Sequence, residues 1–366
     1  MTIDAKRHRS RTGRALRHLP AVLLVAMGLL AGTCSGPREG REPTVIDGLT
    51  MGTTYTVQIA KHPRLSARSV LQIKKDLDSL FAQINREMSI YDNNSEISRF
   101  NRSRKTDWFA VSHSTAELIN EALTVSKKTE GAFDVTVGPL VNLWGFGPKT
   151  GNLTVPGQEK IAEQMSHCGY RKLSARLAPP AIRKTTGNVS CDLSAIAKGH
   201  GVDRAAAYLD SAQIDDYLIE IGGEIKARGT NAENQPWQVG IAAPDSTFGV
   251  GKIVSLNKAA MATSGNYRNY FEVAGVRYSH IIDPRTGRPV THDLASVTVI
   301  HDNCAYADAM ATALIVLGPD AGYDLAVREG LATLMIVREG STYSEKATPR
   351  FARFVSPGRE RITGER

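Results

Sequence analysis

The sequence has few cysteines, and none of them stand in the close pairs that bind zinc or form a redox site. The four cysteines are Cys34, Cys168, Cys191 and Cys304, and no C-x-x-C spacing occurs. This absence excludes the common zinc-binding and dithiol motifs. Three cysteines remain besides Cys34, so one disulfide is possible in an oxidising compartment, and buried free thiols are the alternative.

The sequence also lacks a basic region of the kind that binds nucleic acid. Its formal charge is +8. Residues 1–18 contain six basic side chains against Asp4 and so account for +5, which leaves +3 for the rest of the chain. No other basic run is interleaved with aromatic residues. The charge pattern therefore excludes nucleic acid as a partner.

The apolar run near the N-terminus is too short to span a bilayer comfortably. It extends from Pro20 to Gly32, about a dozen residues, whereas a spanning helix needs about 20. A basic start, a short apolar run and small residues after it are typical of a secretory signal peptide. No Arg-Arg pair occurs there, which favours the general export route over the twin-arginine route.

The signal peptide is predicted to cover residues 1–34. Its end, Ala31-Gly32-Thr33-Cys34, is similar to a bacterial lipobox. Cys34 would then be the lipidated first residue of the mature protein, with residues 35–43 as a polar tether. Thr33 stands where Gly, Ala or Ser is usual, and ordinary cleavage that leaves Cys34 as a free thiol is the alternative.

Residues 44–345 are predicted to form one α+β domain, with mixed or antiparallel sheets flanked by helices, because strands and helices cluster without regular βαβ alternation. The apolar and charged patterning predicts helices at 66–87, 112–130, 158–167, 198–209, 305–317 and 320–329. Strands are predicted twice within 44–60, around Val135 and Val137, and at 217–221, 224–228, 237–242, 253–256, 270–273, 296–300 and 331–337. The basic tail, residues 346–366, is expected to be irregular.

The stretch from Tyr278 to Pro289 is unusually rich in reactive side chains. It contains a hydroxyl, an imidazole, a carboxylate and two guanidiniums, and it ends in a turn with proline and glycine. A turn requires Pro and Gly, but it does not require His280 or Asp283 beside them. Loops at strand ends often carry functional groups, so we expect a site here, with Ile281 and Ile282 anchoring the strand. Residues 270–275 and 276–282 are expected to form the two arms of a hairpin, with His280 in the second arm.

The segment Asp192–Gly201 precedes a predicted helix and suits an anionic ligand. Backbone N–H groups at a helix N-terminus attract anions. Lys198 adds a positive charge, and Asp192 can accept hydrogen bonds from a sugar or a base. No Gly-Lys-Ser/Thr sequence occurs, so this is not a Walker motif. A helix start with a solvated Lys198 is the alternative.

Asp308 and Thr312 are four residues apart on a predicted helix and therefore share one face. That face is otherwise small and apolar, and a carboxylate is costly to bury there unless it is paired or binds a metal. Carboxylate and hydroxyl oxygens suit Mg²⁺, which takes few protein carboxylates and completes its shell with water and substrate phosphate. A salt-bridged Asp308, with Thr312 bonded back to its own helix, is the alternative.

The turn at Gly131–Asp134 suits a planar ligand that lies against the main chain. Its small residues, Gly131 and Ala132, let a ring approach the backbone closely, and Asp134 adds a hydrogen-bond acceptor.

Together these segments resemble the ApbE family of FAD:protein FMN transferases, which are bacterial envelope lipoproteins. The matching stretches follow the family's order over about 45–320. They are Met51–Tyr55, Met88–Asp92, Ser95–Asn101, Gly131–Asp134, Asp192–Gly199, Glu220–Glu224, Met261–Tyr270, Tyr278–Pro289 and Ala305–Leu314.

The resemblance implies a reaction in which the pyrophosphate of FAD is cleaved and FMN is transferred to a threonine or serine hydroxyl of a target flavoprotein, with Mg²⁺ and release of AMP. FAD would contact Met51, Tyr91, Ala132, Phe133, Asp134, Asp192, Lys198 and Ile282. Mg²⁺ would be held by the Ala195 carbonyl, Asp308, the Ala311 carbonyl and Thr312. His280 would be the general base, since imidazole titrates near neutral pH.

The resemblance also implies partners and a location. The targets would be subunits of membrane redox complexes of the Na⁺-translocating NADH:quinone reductase or Rnf type, on the periplasmic side of the inner membrane. An FAD pyrophosphatase that yields FMN and AMP is one alternative, and a non-catalytic FAD-binding lipoprotein is another. The presence of His280 with the Asp308–Thr312 pair argues against the second, because passive binding needs no Mg²⁺.

Overall fold

The structure is a computed structural model of the chain, and it describes residues 42–60, 65–147, 154–244, 250–267 and 269–360. The predicted signal peptide, Cys34 and nearly all of the tether lie outside the described residues. Within the described ranges, no helix is both long enough and apolar enough to cross a membrane.

The described residues form eighteen strands and eight α-helices. The strands are β1 (Thr44–Thr50), β2 (Thr53–Ile59), β3 (Phe109–Ala110), β4 (Leu173–Leu177), β5 (Pro180–Lys184), β6 (Tyr217–Ile221), β7 (Glu224–Arg228), β8 (Trp237–Ala242), β9 (Val250–Leu256), β10 (Ala259–Gly265), β11 (Tyr270–Val273), β12 (Val276–Ser279), β13 (Ile282–Asp283), β14 (Arg288–Pro289), β15 (Leu294–His301), β16 (Ala332–Glu339), β17 (Thr342–Ala347) and β18 (Val355–Glu360). The helices are α1 (Ala67–Met88), α2 (Glu96–Arg102), α3 (His113–Lys128), α4 (Gly138–Leu143), α5 (Gln158–His167), α6 (Ala197–Ser211), α7 (Cys304–Leu317) and α8 (Ala321–Arg328).

An eight-stranded sheet forms the centre of the fold, in the order β1-β2-β6-β7-β10-β15-β16-β17. All neighbouring strands in it are antiparallel. Smaller sheets have the orders β18-β9-β8 and β3-β5-β4, and β11-β12 and β13-β14 form two-stranded ribbons. The prediction of an α+β domain with antiparallel sheets and flanking helices is confirmed.

Helices α6 and α7 pack together in the main core beside the central sheet. Helix α7 is buried along almost its whole length, and its many alanines fill the core with small side chains. The two helix backbones approach closely where Gly199 faces the start of α7, since a Cβ on Gly199 would lie 2.4 Å from the Cys304 carbonyl oxygen. Only glycine allows this approach, which places the first turn of α6 against Asp308.

A smaller apolar cluster supports the end of the β11–β12 hairpin. The ring of Tyr278 stacks on Trp144 at 5.6 Å and on Phe271 at 5.2 Å between centroids. Trp144 Nε1 donates a hydrogen bond to the Gly287 carbonyl at 2.8 Å, and Ile282 is buried in the same cluster. The predicted hairpin is confirmed, and its end is held firmly against α4.

The tail was expected to be irregular from residue 346, and this expectation is wrong. β17 crosses the predicted boundary and pairs with β16, and β18 pairs with β9. No residue of β17 is buried, because it is the outer strand of the sheet. Hydrophobic patterning therefore gives little sign of it, since backbone pairing rather than burial places the strand.

The strand predicted around Val135 and Val137 is also wrong. Val137 has helical backbone angles and precedes α4. Asp134 Oδ1 accepts hydrogen bonds from Thr136 N at 2.8 Å and Thr136 Oγ1 at 2.7 Å. Such local side-chain bonds stabilise a turn in place of strand pairing. Helix α2 and strands β3, β4 and β5 were not predicted from the sequence.

The three cysteines in the described part of the chain are free. Cys168, Cys191 and Cys304 are all buried as thiols. Of the two alternatives left open by the sequence, the structure has the buried free thiols.

Candidate functional site

A cavity of about 450 Å³ gathers most of the predicted site residues. Its walls come from the loop before α4, the segment that leads into α6, the β6–β7 turn, the end of β10, the loop after β12, and α7. The predicted residues that line it are Ala132, Phe133, Asp134, Asp192, Ala195, Lys198, His280, Ile282, Asp308 and Thr312. Sequence segments far apart in the chain thus converge on one site.

Three predicted residues do not line this cavity. Met51 lies in the β1–β2 turn and packs against the helix that starts at Ala197, close to Gly201. Tyr91 is 74% exposed. Partial burial and, to a smaller extent, the negative charge of Asp192 raise the pKa of Tyr91. Ala311 is fully buried in α7, next to Thr312.

Asp134 is buried and shapes the loop that carries Ala132 and Phe133. Besides its bonds to Thr136, it accepts a hydrogen bond from Tyr170 N at 2.7 Å through Oδ2. Burial raises the pKa of Asp134, and these donors oppose the rise. Its carboxylate therefore holds the cavity wall in place, while a direct contact with FAD stays a prediction.

The start of α6 presents Lys198 to the cavity, but one of its N–H groups is already bonded within the protein. Gly199 N donates to Asp308 Oδ2 at 3.1 Å. The sequence predicted that the N-terminus of this helix would bind an external anion. The carboxylate of Asp308 occupies part of that position instead. Asp192 Oδ1 accepts from Ser194 N at 2.9 Å and Ser194 Oγ at 2.6 Å, which orders the preceding turn.

The donor set around Asp308 fits a hard divalent cation. Asp308 is only 4% exposed, and among the described residues no hydrogen bond involves its Oδ1. Thr312 Oγ1 lies 3.2 Å from Ser264 Oγ, and Ala195 lines the same cavity. The described ranges hold no cluster of three or more His, Cys, Asp or Glu side chains. One carboxylate with neutral oxygens suits Mg²⁺ better than zinc or iron.

Glu224 is a site residue that the sequence prediction missed. It is 3% exposed, lines the cavity, and forms an ion pair with Lys198 at 2.8 Å between Oε2 and Nζ. Burial raises the pKa of Glu224, and the Lys198 ammonium opposes this. Burial also lowers the pKa of Lys198, but the charges of Asp308 and Glu224 outweigh it and raise that pKa above its ordinary value. The sequence signal was a carboxylate directly after the Gly222-Gly223 turn.

His280 is oriented by the main chain of the neighbouring strand region. Its Nδ1 lies 2.9 Å from the Asn269 carbonyl oxygen. A carbonyl can only accept, so Nδ1 carries the proton and Nε2 keeps a free lone pair in the neutral ring. Burial lowers the pKa of His280, although the Asn269 bond opposes the change. The imidazole is therefore neutral and able to accept a proton at neutral pH.

Asp283, Arg285 and Arg288 stabilise the loop beyond His280. Arg285 binds Asp283 with two side-chain hydrogen bonds, of 2.9 and 2.8 Å. Arg288 Nη2 donates to Gln158 Oε1 at 2.5 Å, which ties the loop to α5. These contacts give the three charged residues a structural role in the loop.

Comparisons with known proteins show the family to which this chain is similar. The family model described as the ApbE family matches residues 51–335. A curated FAD:protein FMN transferase of Vibrio cholerae is 42% identical over 336 residues, which cover 92% of this chain and 98% of that protein. The FAD:protein FMN transferase of Escherichia coli K12 is 36% identical over 340 residues, with 91% of this chain and 96% of that protein covered.

Solved structures show the same similarity. The flavin transferase ApbE from Vibrio cholerae superposes with a TM-score of 0.79 at 39% identity, covering 86% of this chain and 99% of that one. The apo flavinyl transferase ApbE from Pseudomonas stutzeri has a TM-score of 0.79 at 36% identity, with 86% and 97% covered.

Proposed function

The chain belongs to the ApbE family, and we infer from this that it is an FAD:protein FMN transferase, an enzyme that moves FMN from FAD to a target protein. The observation that carries the assignment is the convergence of His280, Lys198, Asp308 and Thr312 on one cavity. A base, a cation and hard oxygen ligands are the groups that phosphoryl-type transfer requires.

We propose that the acceptor is a threonine or serine hydroxyl of the target. Nε2 of His280 takes the proton from this hydroxyl, whose oxygen attacks the phosphorus on the FMN side of the pyrophosphate. The phosphorus–oxygen bond to the AMP phosphate breaks, and AMP leaves with the bonding electron pair. Lys198 lies in the same cavity and is placed to reduce the negative charge on the phosphates.

We propose Mg²⁺ as the cofactor, held by Asp308, Thr312 and the carbonyls of Ala195 and Ala311. When bound, Mg²⁺ stabilises negative charge on the pyrophosphate and on departing AMP. We further propose that Met51, Tyr91, Ala132, Phe133, Asp134, Asp192 and Ile282 contact FAD. Five of these seven line the cavity, and Met51 packs against the helix that carries Lys198.

The direct test is to incubate the protein with FAD, Mg²⁺ and a candidate acceptor, a flavoprotein subunit of a membrane redox complex. We expect covalent in-gel flavin fluorescence on the acceptor and release of AMP. An acceptor with valine at the target threonine is the matched control, and chelation by EDTA tests the metal. Free FMN without a labelled acceptor would contradict transfer and support the alternative FAD pyrophosphatase.

We propose that the protein acts on the periplasmic side of the inner membrane, anchored through lipidated Cys34. The support is the sequence of residues 1–34 alone. Mass spectrometry of the mature N-terminus should then give a diacylated or triacylated peptide that begins at Cys34. A peptide that begins at any unmodified residue would rule out the anchor.

A further inference from the structure

Glu224 has no role in the reaction as proposed above, yet it is among the most buried carboxylates of the site. It follows the Gly222-Gly223 turn, whose positive φ angles of 59° and 108° bring β7 back beside β6. Its Oε2 is buried, and the Lys198 ammonium at 2.8 Å is the partner that the structure gives this oxygen within the described ranges.

Lys198 lies between two carboxylates and is closer to one of them. Its Nζ is 2.8 Å from Glu224 Oε2 and 3.8 Å from Asp308 Oδ2. Electrostatic attraction increases as distance decreases, so Glu224 attracts the ammonium more strongly than Asp308 does. Asp308 meanwhile accepts the Gly199 N–H through the same Oδ2. Within the described residues, no hydrogen bond involves its Oδ1.

We propose that Glu224 is a positioning residue, which holds the Lys198 ammonium away from Asp308 so that Asp308 can bind a divalent cation. The inference rests on the proposed metal site and goes beyond it, because Glu224 belongs neither to the proposed metal ligands nor to the proposed flavin contacts. A lysine side chain has a flexible four-carbon stem, so its ammonium can move to pair with the nearest carboxylate. Without Glu224, Asp308 is the one carboxylate that the structure places within 4 Å of the Lys198 ammonium in the described residues.

The position of the Glu224 carboxylate, and not only its charge, is essential to this proposal. Glu224→Asp keeps the charge but withdraws the carboxylate by roughly 1.5 Å, the length of one carbon–carbon bond. Lengthening the 2.8 Å distance by this amount would leave the carboxylate farther from Lys198 Nζ than Asp308 Oδ2, which lies at 3.8 Å. Glu224→Gln removes the charge altogether. Both variants should let the ammonium move onto Asp308 and compete with the cation.

The experiment measures Mn²⁺ binding to the full chain without FAD, from the free Mn²⁺ signal in electron paramagnetic resonance, with Mg²⁺ as competitor. We expect Glu224→Gln to weaken binding by about tenfold or more and Glu224→Asp by at least about threefold. The double variant Glu224→Gln/Lys198→Met should return to within about threefold of the unmodified protein, because no ammonium remains to occupy Asp308. Thermal unfolding of each variant checks that it is folded.

Two results would overturn the proposal. In one, Glu224→Asp binds Mn²⁺ as the unmodified protein does, which would show that only charge matters. In the other, the double variant binds as weakly as Glu224→Gln. Failure of the metal site itself is distinguishable, because the unmodified protein and Asp308→Asn would then bind Mn²⁺ equally weakly.

Discussion

Replacing Asp308 with alanine is expected to abolish Mg²⁺-dependent FMN transfer. The side chain is the one carboxylate of the proposed ligand set, so its loss leaves that set with neutral oxygens alone. Turnover is measured as labelled acceptor per unit time over a range of Mg²⁺ concentrations. Asp308→Asn should behave in the same way while keeping an acceptor for the Gly199 N–H, which separates loss of the ligand from loss of packing.

The matched control for this experiment is Asp302→Ala. Asp302 lies just before the same helix, and its side chain is 83% exposed. That variant should retain the rate and the Mg²⁺ dependence of the unmodified protein. Undiminished activity in Asp308→Ala would remove Asp308, and with it the metal assignment, from the mechanism.

Replacing His280 with alanine is expected to slow transfer by about 10²–10⁴-fold, the usual effect of losing a general base. FAD binding should persist, because the imidazole is proposed to act on the acceptor hydroxyl. Quenching of flavin fluorescence measures the binding, and the in-gel assay measures the rate. His113→Ala is the control, since its side chain is 61% exposed on α3.

The pH dependence gives an independent test of His280. The neutral imidazole is the active form, so kcat/KM should fall as pH falls through its pKa. Burial lowers that pKa, which places the acidic limb of the profile below the ordinary value near 6.5. The His280→Ala variant should lack this limb. A variant with an unchanged rate and an unchanged acidic limb would make His280 a structural residue.

Much of the site could be predicted from the sequence, because its side chains lie in short local motifs. The spacing of Asp308 and Thr312 is a property of one helix, and both line the cavity as expected. The polar stretch around His280 likewise occupies the end of a predicted hairpin. In each case the information is contained within a few neighbouring residues.

The parts that could not be predicted depend on contacts between distant segments. Glu224 is important because the β6–β7 turn brings it opposite Lys198, which lies 26 positions earlier in the chain. β17 contains no buried residue, so its sequence has no hydrophobic signal. The turn at Val135–Val137 is decided by the hydrogen bonds of one side chain, Asp134, and these outweigh the strand preference of two valines.

The bond between His280 Nδ1 and the Asn269 carbonyl also bears on repeated turnover. Many catalytic histidines are hydrogen-bonded to a carboxylate, which stabilises the imidazolium that forms when the ring accepts a proton. Here the partner is a neutral carbonyl, and burial makes the protonated ring a stronger acid than free imidazolium. With His280 as the proposed base, a proton taken from one acceptor would therefore be released readily to solvent. The neutral base would then be restored between turnovers, although the same low pKa makes it a weaker base in the abstraction itself.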